Sequence, residues 1–248
     1  MTITPETTFT KSWAEGDTGP ALLRRGVADG LDDVIGTVFF WIPPAPYPSR
    51  TASDLGFLTG RCDSIVSSSD TCVNQHFIPT MSLSRGTFGA AADIVAWAQV
   101  NLSAHWGQQG VGQPLTRLAN KTTRGNNRKI ICDSTFTSLG TAIGGDDGSK
   151  DSCDEFPFAA SYQSGALNGV TSGSQCAQVE AVEIAIPTGD LATDWSSVQP
   201  TAPFTGSEAC VRGHVPLKLN QAVGCKYAGF IKSVRLLDRD QFWLAVIP

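Results

Sequence analysis

The segment Leu219 to Val234, LNQAVGCKYAGFIKSV, sets Val223, Tyr227, Phe230 and Ile231 at helical intervals. It also carries Gly224 and Gly229, each of which lowers helix propensity by about 1 kcal/mol relative to alanine, so a helix here needs an apolar surface to pack on. Ala90 to Ser103 repeats the pattern through Ile94, Trp97, Ala98 and Leu102, with Phe88 one turn earlier. Strand-like runs surround these segments: Val34 to Trp41, Val179 to Ile186 and the tail DQFWLAVIP. Lys129 to Cys132 reads as a further short strand, Thr116 to Ala119 as a short helix, Pro20 to Val27 as a region of helix, and 187 to 209 as a loop. Helices and strands in this irregular order favour an α+β fold over a doubly wound α/β sheet.

A chain of 248 residues buries a sizeable core without metals or crosslinks. Its seven cysteines, at 62, 72, 132, 153, 176, 210 and 225, form no C-x-x-C pair and read as scattered crosslinks, with Cys62 and Cys72 closing a short loop. Disulfides persist in oxidising compartments, so the expected location is secreted or extracellular. The first residues lack a basic and then apolar leader profile, which predicts a leader already removed or another route of export. No stretch approaches 18 apolar residues, so no membrane partner is expected.

Net charge is −5, which by itself argues against a polyanionic partner. Its distribution argues the other way. Residues 117 to 129 carry five basic and no acidic groups, 209 to 248 carry six basic against two acidic, and 130 to 208 hold eleven acidic groups and one lysine. An acidic centre is thus flanked by two basic segments.

There is no G-x-S-x-G elbow and no P-loop, and the three histidines, His76, His105 and His214, are too few for a histidine-built metal cluster. Hydrolytic chemistry must lean on carboxylates. Asp154 and Glu155 stand together in Cys153-Asp154-Glu155-Phe156-Pro157-Phe158-Ala159. Neighbouring carboxylates suit a hard divalent cation, and a carboxylate beside a like charge has its pKa raised toward that of a general base. Consecutive strand residues point to opposite faces, so the two share one cation only if the backbone turns between or just after them. Pro157 restricts Phe156 to an extended conformation and sets the pair at a strand end.

These residues resemble the signature of the NucA/NucB deoxyribonuclease family: Asp-Glu, an aromatic, Pro, then apolar-Ala. Asn127-Arg128 through Ile131-Cys132, Tyr162 to Gly165, and Cys210 to Pro216 leading to Asn220 are similar to the longer actinobacterial and fungal branch, with best coverage over 115 to 248. The resemblance implies a secreted, metal-dependent endonuclease with a core related to the ββα-metal nucleases, a mixed or antiparallel sheet and long disulfide-linked loops. It implies a nuclease domain over 61 to 248, with 1 to 60 as an extension. It further implies Asp154 as general base, Glu155 as metal or water-orienting partner, the two roles being open to exchange, and Asn220 as ligand of a Mg²⁺ or Mn²⁺ ion. Two departures stand out: the interval from motif to Asn220 is long, and Gln163 replaces a carboxylate common in relatives.

Arg212-Gly213-His214 offers a phosphate-binding arginine and a histidine with three open roles: base, phosphate contact or structural hydrogen bonder. Lys218, Arg124, Arg128 and Lys129 are further phosphate candidates, and a solvated charged loop is an equally good reading of the last three. The expected substrate is DNA cut with little sequence preference, by a monomer, with an immunity protein as partner if the chain is a toxin module. The competing expectation is an extracellular binding module with a structural Ca²⁺ at Asp146, Asp147 and Asp151, or with no ion.

Overall fold

The computed structural model describes residues 77–140, 150–183 and 196–248, with residues 65–66 and several short strands before them. The chain divides into two compact units, Met1–Ile78 and Pro79–Pro248. In the first, β1 (Phe9–Thr10), β3 (Arg24–Arg25) and β4 (Thr37–Val38) form one antiparallel sheet, and β2 (Pro20–Leu22), β5 (Thr59–Asp63) and β6 (Thr71–Asn74) form another. The helix expected around Pro20 to Val27 is replaced by β2 and β3, since Pro20 opens an edge strand, a place where its missing N–H is tolerated. Register sets Cys62 opposite Cys72. Of the strand expected at Val34 to Trp41, only Thr37–Val38 lies within the described residues.

Among its described residues the second unit is a mixed α+β structure with two sheets, three α-helices and two disulfides. One sheet joins β7 (Thr80–Ser84) parallel to β13 (Gln241–Ile247), which pairs antiparallel with β8 (Leu115–Thr116). The other has the order β11 (Ser196–Pro200), β10 (Ala177–Glu183), β12 (Val211–Pro216), β9 (Asp151–Phe156), with β9 at its edge. β9 and β12 are antiparallel, whereas β10 and β12 are parallel. The helices are α1 (Arg85–Asn101), α2 (Lys121–Ile131) and α3 (Leu217–Ser233).

Helices α1 and α3 cover one face of the larger sheet and also meet the smaller one. Two glycines make this packing possible. A Cβ at Gly213 would lie 2.4 Å from Ile94 Cδ1, so its absence lets α1 settle on β12. At Gly89 the backbone takes φ 42°, a conformation that favours glycine, and α1 kinks there beside Leu219. Between the sheets Tyr227 and Phe230 of α3 meet Phe242 at 5.5 and 5.8 Å.

Two expected elements are reversed. Lys129 to Cys132 ends a helix rather than forming a strand, because Asn120 caps α2 by accepting the Thr123 N–H at 2.9 Å. Thr116 to Ala119 is not helical, because Leu115–Thr116 pairs with β13. Within the expected loop 187 to 209, Ser196–Pro200 is a strand, while 184–195 lies outside the described residues. No helix is long and apolar enough to cross a membrane among the described residues.

Candidate active site

Strand β9 carries the Asp-Glu pair, and its register with β12 fixes where each side chain goes. Asp154 lies opposite Gly213, and Glu155 opposite Arg212. Since directly opposed residues share a face and neighbours alternate, Ser152, Asp154 and Phe156 face α1 and α3, while Asp151, Cys153 and Glu155 face α2. The contacts agree: Ile94 of α1 packs at Gly213, and Arg128 of α2 reaches Glu155.

On the first face, Asn220 of α3 donates its amide to Ser152 Oγ at 3.1 Å and to Cys153 O at 2.9 Å. Both donors act on the edge strand, which leaves Oδ1 as the remaining polar atom of the side chain. Asp154 lies two residues from Ser152 on the same face and is 8 % exposed. Its only hydrogen bond among the described residues is local, Oδ1 accepting the Glu155 N–H at 2.9 Å. Burial, and then the charge of Glu155, push its pKa up to about 7, against the pull of the Glu155 N–H and of Arg128. A carboxyl poised at that value exchanges a proton near neutrality.

On the other face Glu155 is 3 % exposed and clamped by Arg128, whose Nε and Nη2 reach Oε1 at 3.1 and 3.0 Å. Burial pushes Glu155 above the ordinary glutamate value, while Arg128 and the Ala159 N–H pull it back. The backbone does not turn between Asp154 and Glu155, so the expectation that Glu155 joins Asn220 around one cation is corrected: the strand's pleat separates them.

Arg212 is also corrected. It is 4 % exposed, and its donors go to Gln178 Oε1, Ile131 O, Asp133 Oδ1, Thr135 Oγ1 and Thr135 O. A guanidinium so enclosed has no face left for a phosphate. Asp133, held well below the usual carboxylate range by the Thr135 and Ser172 hydroxyls, anchors the same network. His214 takes the structural role, with Nδ1 2.8 Å from Asp151 Oδ2 and its ring 4.4 Å from that of Phe136, on the face away from Asp154. Asp151 accepts the Leu139 N–H as well, and the other two members of the expected Ca²⁺ loop, Asp146 and Asp147, lie outside the described residues.

Arg124 is half-buried on α2, whereas Arg128, Lys129 and Lys218 are exposed. Lys218 sits in the first turn of α3, two residues before Asn220. Gln163 is spent on β8, with Oε1 accepting the Thr116 N–H at 2.7 Å and Nε2 donating to Thr116 Oγ1 at 3.2 Å. Two disulfides frame the site, Cys132–Cys153 joining the end of α2 to β9 and Cys176–Cys210 joining β10's start to β12's start. They fit an oxidising environment. Cys225 is free and exposed.

A divalent cation fits only in a minimal form. No group of three or more His, Cys, Asp and Glu converges among the described residues. Asn220 Oδ1 and the Asp154 carboxyl are candidate oxygen donors from α3 and β9, and Mg²⁺ commonly takes one or two protein ligands with water and phosphate oxygens completing its shell. The residues missed from the sequence are Arg117, Asn127 and Asp133. Asn127 donates to Ala159 O at 3.0 Å and ties α2 to the segment after Pro157. No family model, curated protein or solved structure matches the chain.

Proposed function

We propose that the chain is a metal-dependent endonuclease that hydrolyses DNA phosphodiester bonds, with Asp154 as general base and Asn220 as the side chain that holds a Mg²⁺ or Mn²⁺ ion. The observation that carries this reading is Asp154 itself: a buried carboxyl that makes no ion pair among the described residues, its pKa pushed to about 7, on the strand whose backbone and Ser152 fix the Asn220 amide. Such an isolated carboxyl is costly to keep in a core and is a frequent mark of acid–base chemistry.

In support of the resemblance to the NucA/NucB and ββα-metal nucleases, β12, the antiparallel neighbour of β9, runs directly into α3, which supplies Asn220, with β10 and β11 lying between β9 and β12 in the chain. In this reading Asp154 removes a proton from the attacking water, whose oxygen bonds to phosphorus as the bond to the leaving oxygen breaks. Arg128 and Glu155 hold α2 against β9 so that Arg124 and Lys129 meet the nucleic-acid backbone. The bound cation would supply charge stabilisation for the departing oxygen. Secretion, a monomeric state, and an immunity partner should the chain be a toxin module, belong to the same proposal; the two disulfides support the first.

Digestion of supercoiled plasmid with Mg²⁺ or Mn²⁺ tests the reading. Nicking that stops with chelator and with Asp154→Asn supports it, provided the variant melts cooperatively. Intact plasmid across several divalent ions rejects it.

A further inference from the structure

Strand β9 is the edge of its sheet, and backbone groups along it find partners outside the ladder with β12. The Asp151 N–H donates to Gly140 O at 2.8 Å, Cys153 O accepts from Asn220 Nδ2 at 2.9 Å, and the Glu155 N–H donates to Asp154 Oδ1 at 2.9 Å. Residues i and i+2 of a strand send their backbone groups to the same side, so Cys153 O and the Glu155 N–H are neighbours along one edge. Asn220 and Asp154 are thereby both anchored at that edge, one from α3 and one from β9 itself.

Chemistry decides which end of the Asn220 amide faces β9. Cys153 O can only accept, so the atom 2.9 Å from it is Nδ2. Ser152 Oγ donates to Val215 O at 2.8 Å, another group that can only accept, which leaves the hydroxyl's lone pairs for Asn220 Nδ2 at 3.1 Å. The result is a one-way chain from the Asn220 amide through the Ser152 hydroxyl to Val215 O. With the amide protons used, Oδ1 is the unspent acceptor; it accepts no hydrogen bond among the described residues and is not sealed from solvent.

The terminal torsion of an asparagine is broad, and a single hydrogen bond to Cys153 O would leave the amide free to rock about it. The second bond, to Ser152, removes that freedom. Ser152 is half-buried and lies two residues from Asp154 on the same face of β9.

We propose that Ser152 is a positioning residue: its hydroxyl fixes the polarity and angle of the Asn220 amide so that Oδ1 is presented as an oxygen ligand to a divalent cation. This role rests on the nuclease reading, which gives Asn220 the ion, and Ser152 acts only through Asn220.

The first arm of the test needs no metal. In the isotope-labelled, full-length chain the Asn220 side-chain amide signal is assigned by its loss in Asn220→Ala, and exchange of its protons with water is followed. Ser152→Ala is expected to speed that exchange about 3–10-fold, the effect of one lost hydrogen bond, and Ser152→Thr, which keeps the hydroxyl and suits a strand, to leave it as in the wild type. Ser152→Ala deletes one half-buried hydroxyl, so the variant retains the fold. The second arm titrates Mn²⁺ into the same proteins and follows the free ion by electron paramagnetic resonance. Ser152→Ala is expected to weaken Mn²⁺ binding by about 10–100-fold, the usual loss when a group orienting a metal ligand is removed, with Ser152→Thr close to the wild type.

Unchanged amide exchange in Ser152→Ala overturns the proposal. So does a weakening that Ser152→Thr shares, which would assign the effect to packing. Wild-type Mn²⁺ binding that survives Ser152→Ala strikes this inference alone and leaves the nuclease reading standing. A wild type that binds no Mn²⁺ takes the ion from Asn220, and the nuclease reading falls together with the role of Ser152.

Discussion

Asp154 and Glu155 are consecutive in sequence and project from opposite faces of the same edge strand, Asp154 toward α1 and α3 and Glu155 toward Arg128 of α2. The pair therefore lies on two faces of β9 rather than on one. Glu155 ties α2 to β9 through Arg128, and Asp154 makes no ion pair among the described residues and feels Arg128 only as a weaker pull than its burial. This division explains why the motif places two acids beside the hydrophobic run Phe156 to Ala160: each carboxyl is enclosed by a different half of the core.

The elevated pKa of Asp154 makes stability depend on pH with a definite sign. The folded-state value is about 7 against an ordinary value of 3.8. In that window the unfolded chain has released a proton that the folded chain retains, so the contribution of Asp154 is fully present below about pH 4, declines as pH rises to about 7, and is level above. Asp154→Asn removes this term. The variant is expected to gain on the wild type by a few kcal/mol, of order 1.4 per pKa unit, between pH 4 and pH 8. Denaturant unfolding of both proteins across that range checks it; parallel curves would show Asp154 to be unperturbed.

Removing Arg128 strands a buried carboxylate. Arg128→Gln is expected to cost about 1–3 kcal/mol, less than a fully enclosed pair, because the arginine side chain is 65 % exposed. Arg128→Gln combined with Glu155→Gln recovers part of that loss. A double-mutant cycle by chemical denaturation measures the coupling, and strict additivity would mean that the ion pair contributes nothing.

For Arg212, which is buried and bound to Asp133, the expected defect is one of folding. Arg212→Ala should destabilise by about 3–5 kcal/mol, the range for breaking a buried pair. A variant that melts like the wild type but has lost DNA affinity would restore Arg212 to the substrate.

Cys132 caps the end of α2, and Cys153 sits between Ser152 and Asp154, both of them on the face that meets Asn220. Replacing both cysteines by serine is expected to cost about 2–4 kcal/mol and to weaken the Arg128–Glu155 pair that lies one turn away. The matching change at Cys176 and Cys210 should lower stability without touching that coupling. Repeating the Arg128/Glu155 cycle in each background distinguishes the two bridges.

Much of the architecture was legible where apolar periodicity was strong. Val223, Tyr227, Phe230 and Ile231 are the buried residues of α3, and Ile94 and Ala98 are buried in α1. Helix α2 was illegible by the same rule, because Asn127 and Ile131 are its only buried residues and supply no apolar stripe. The signal that could have found it was Asn120, a capping residue ahead of a run of helix-tolerant polar groups. Strand β11 was hidden in a segment rich in Ser, Thr and Pro, since its pairing with β10 rather than its composition defines it. In the site, the pleat argument already implied that Asp154 and Glu155 part unless the chain turns; only coordinates could show that it does not. The burial of Arg212 was not readable, as an arginine in a basic tail gives no sign of the distant Asp133 that claims it.

The central claim is that Asp154 acts as a base from the face it shares with Asn220. The most direct measurement is the pH dependence of the plasmid-nicking rate under single-turnover conditions at saturating Mn²⁺, for wild type and Asp154→Asn. The account predicts a wild-type rate that climbs tenfold per pH unit and levels off near pH 7, and a folded variant slower by about 10²–10⁴-fold with the climb abolished. A variant that nicks at the wild-type rate with the wild-type pH profile would contradict it.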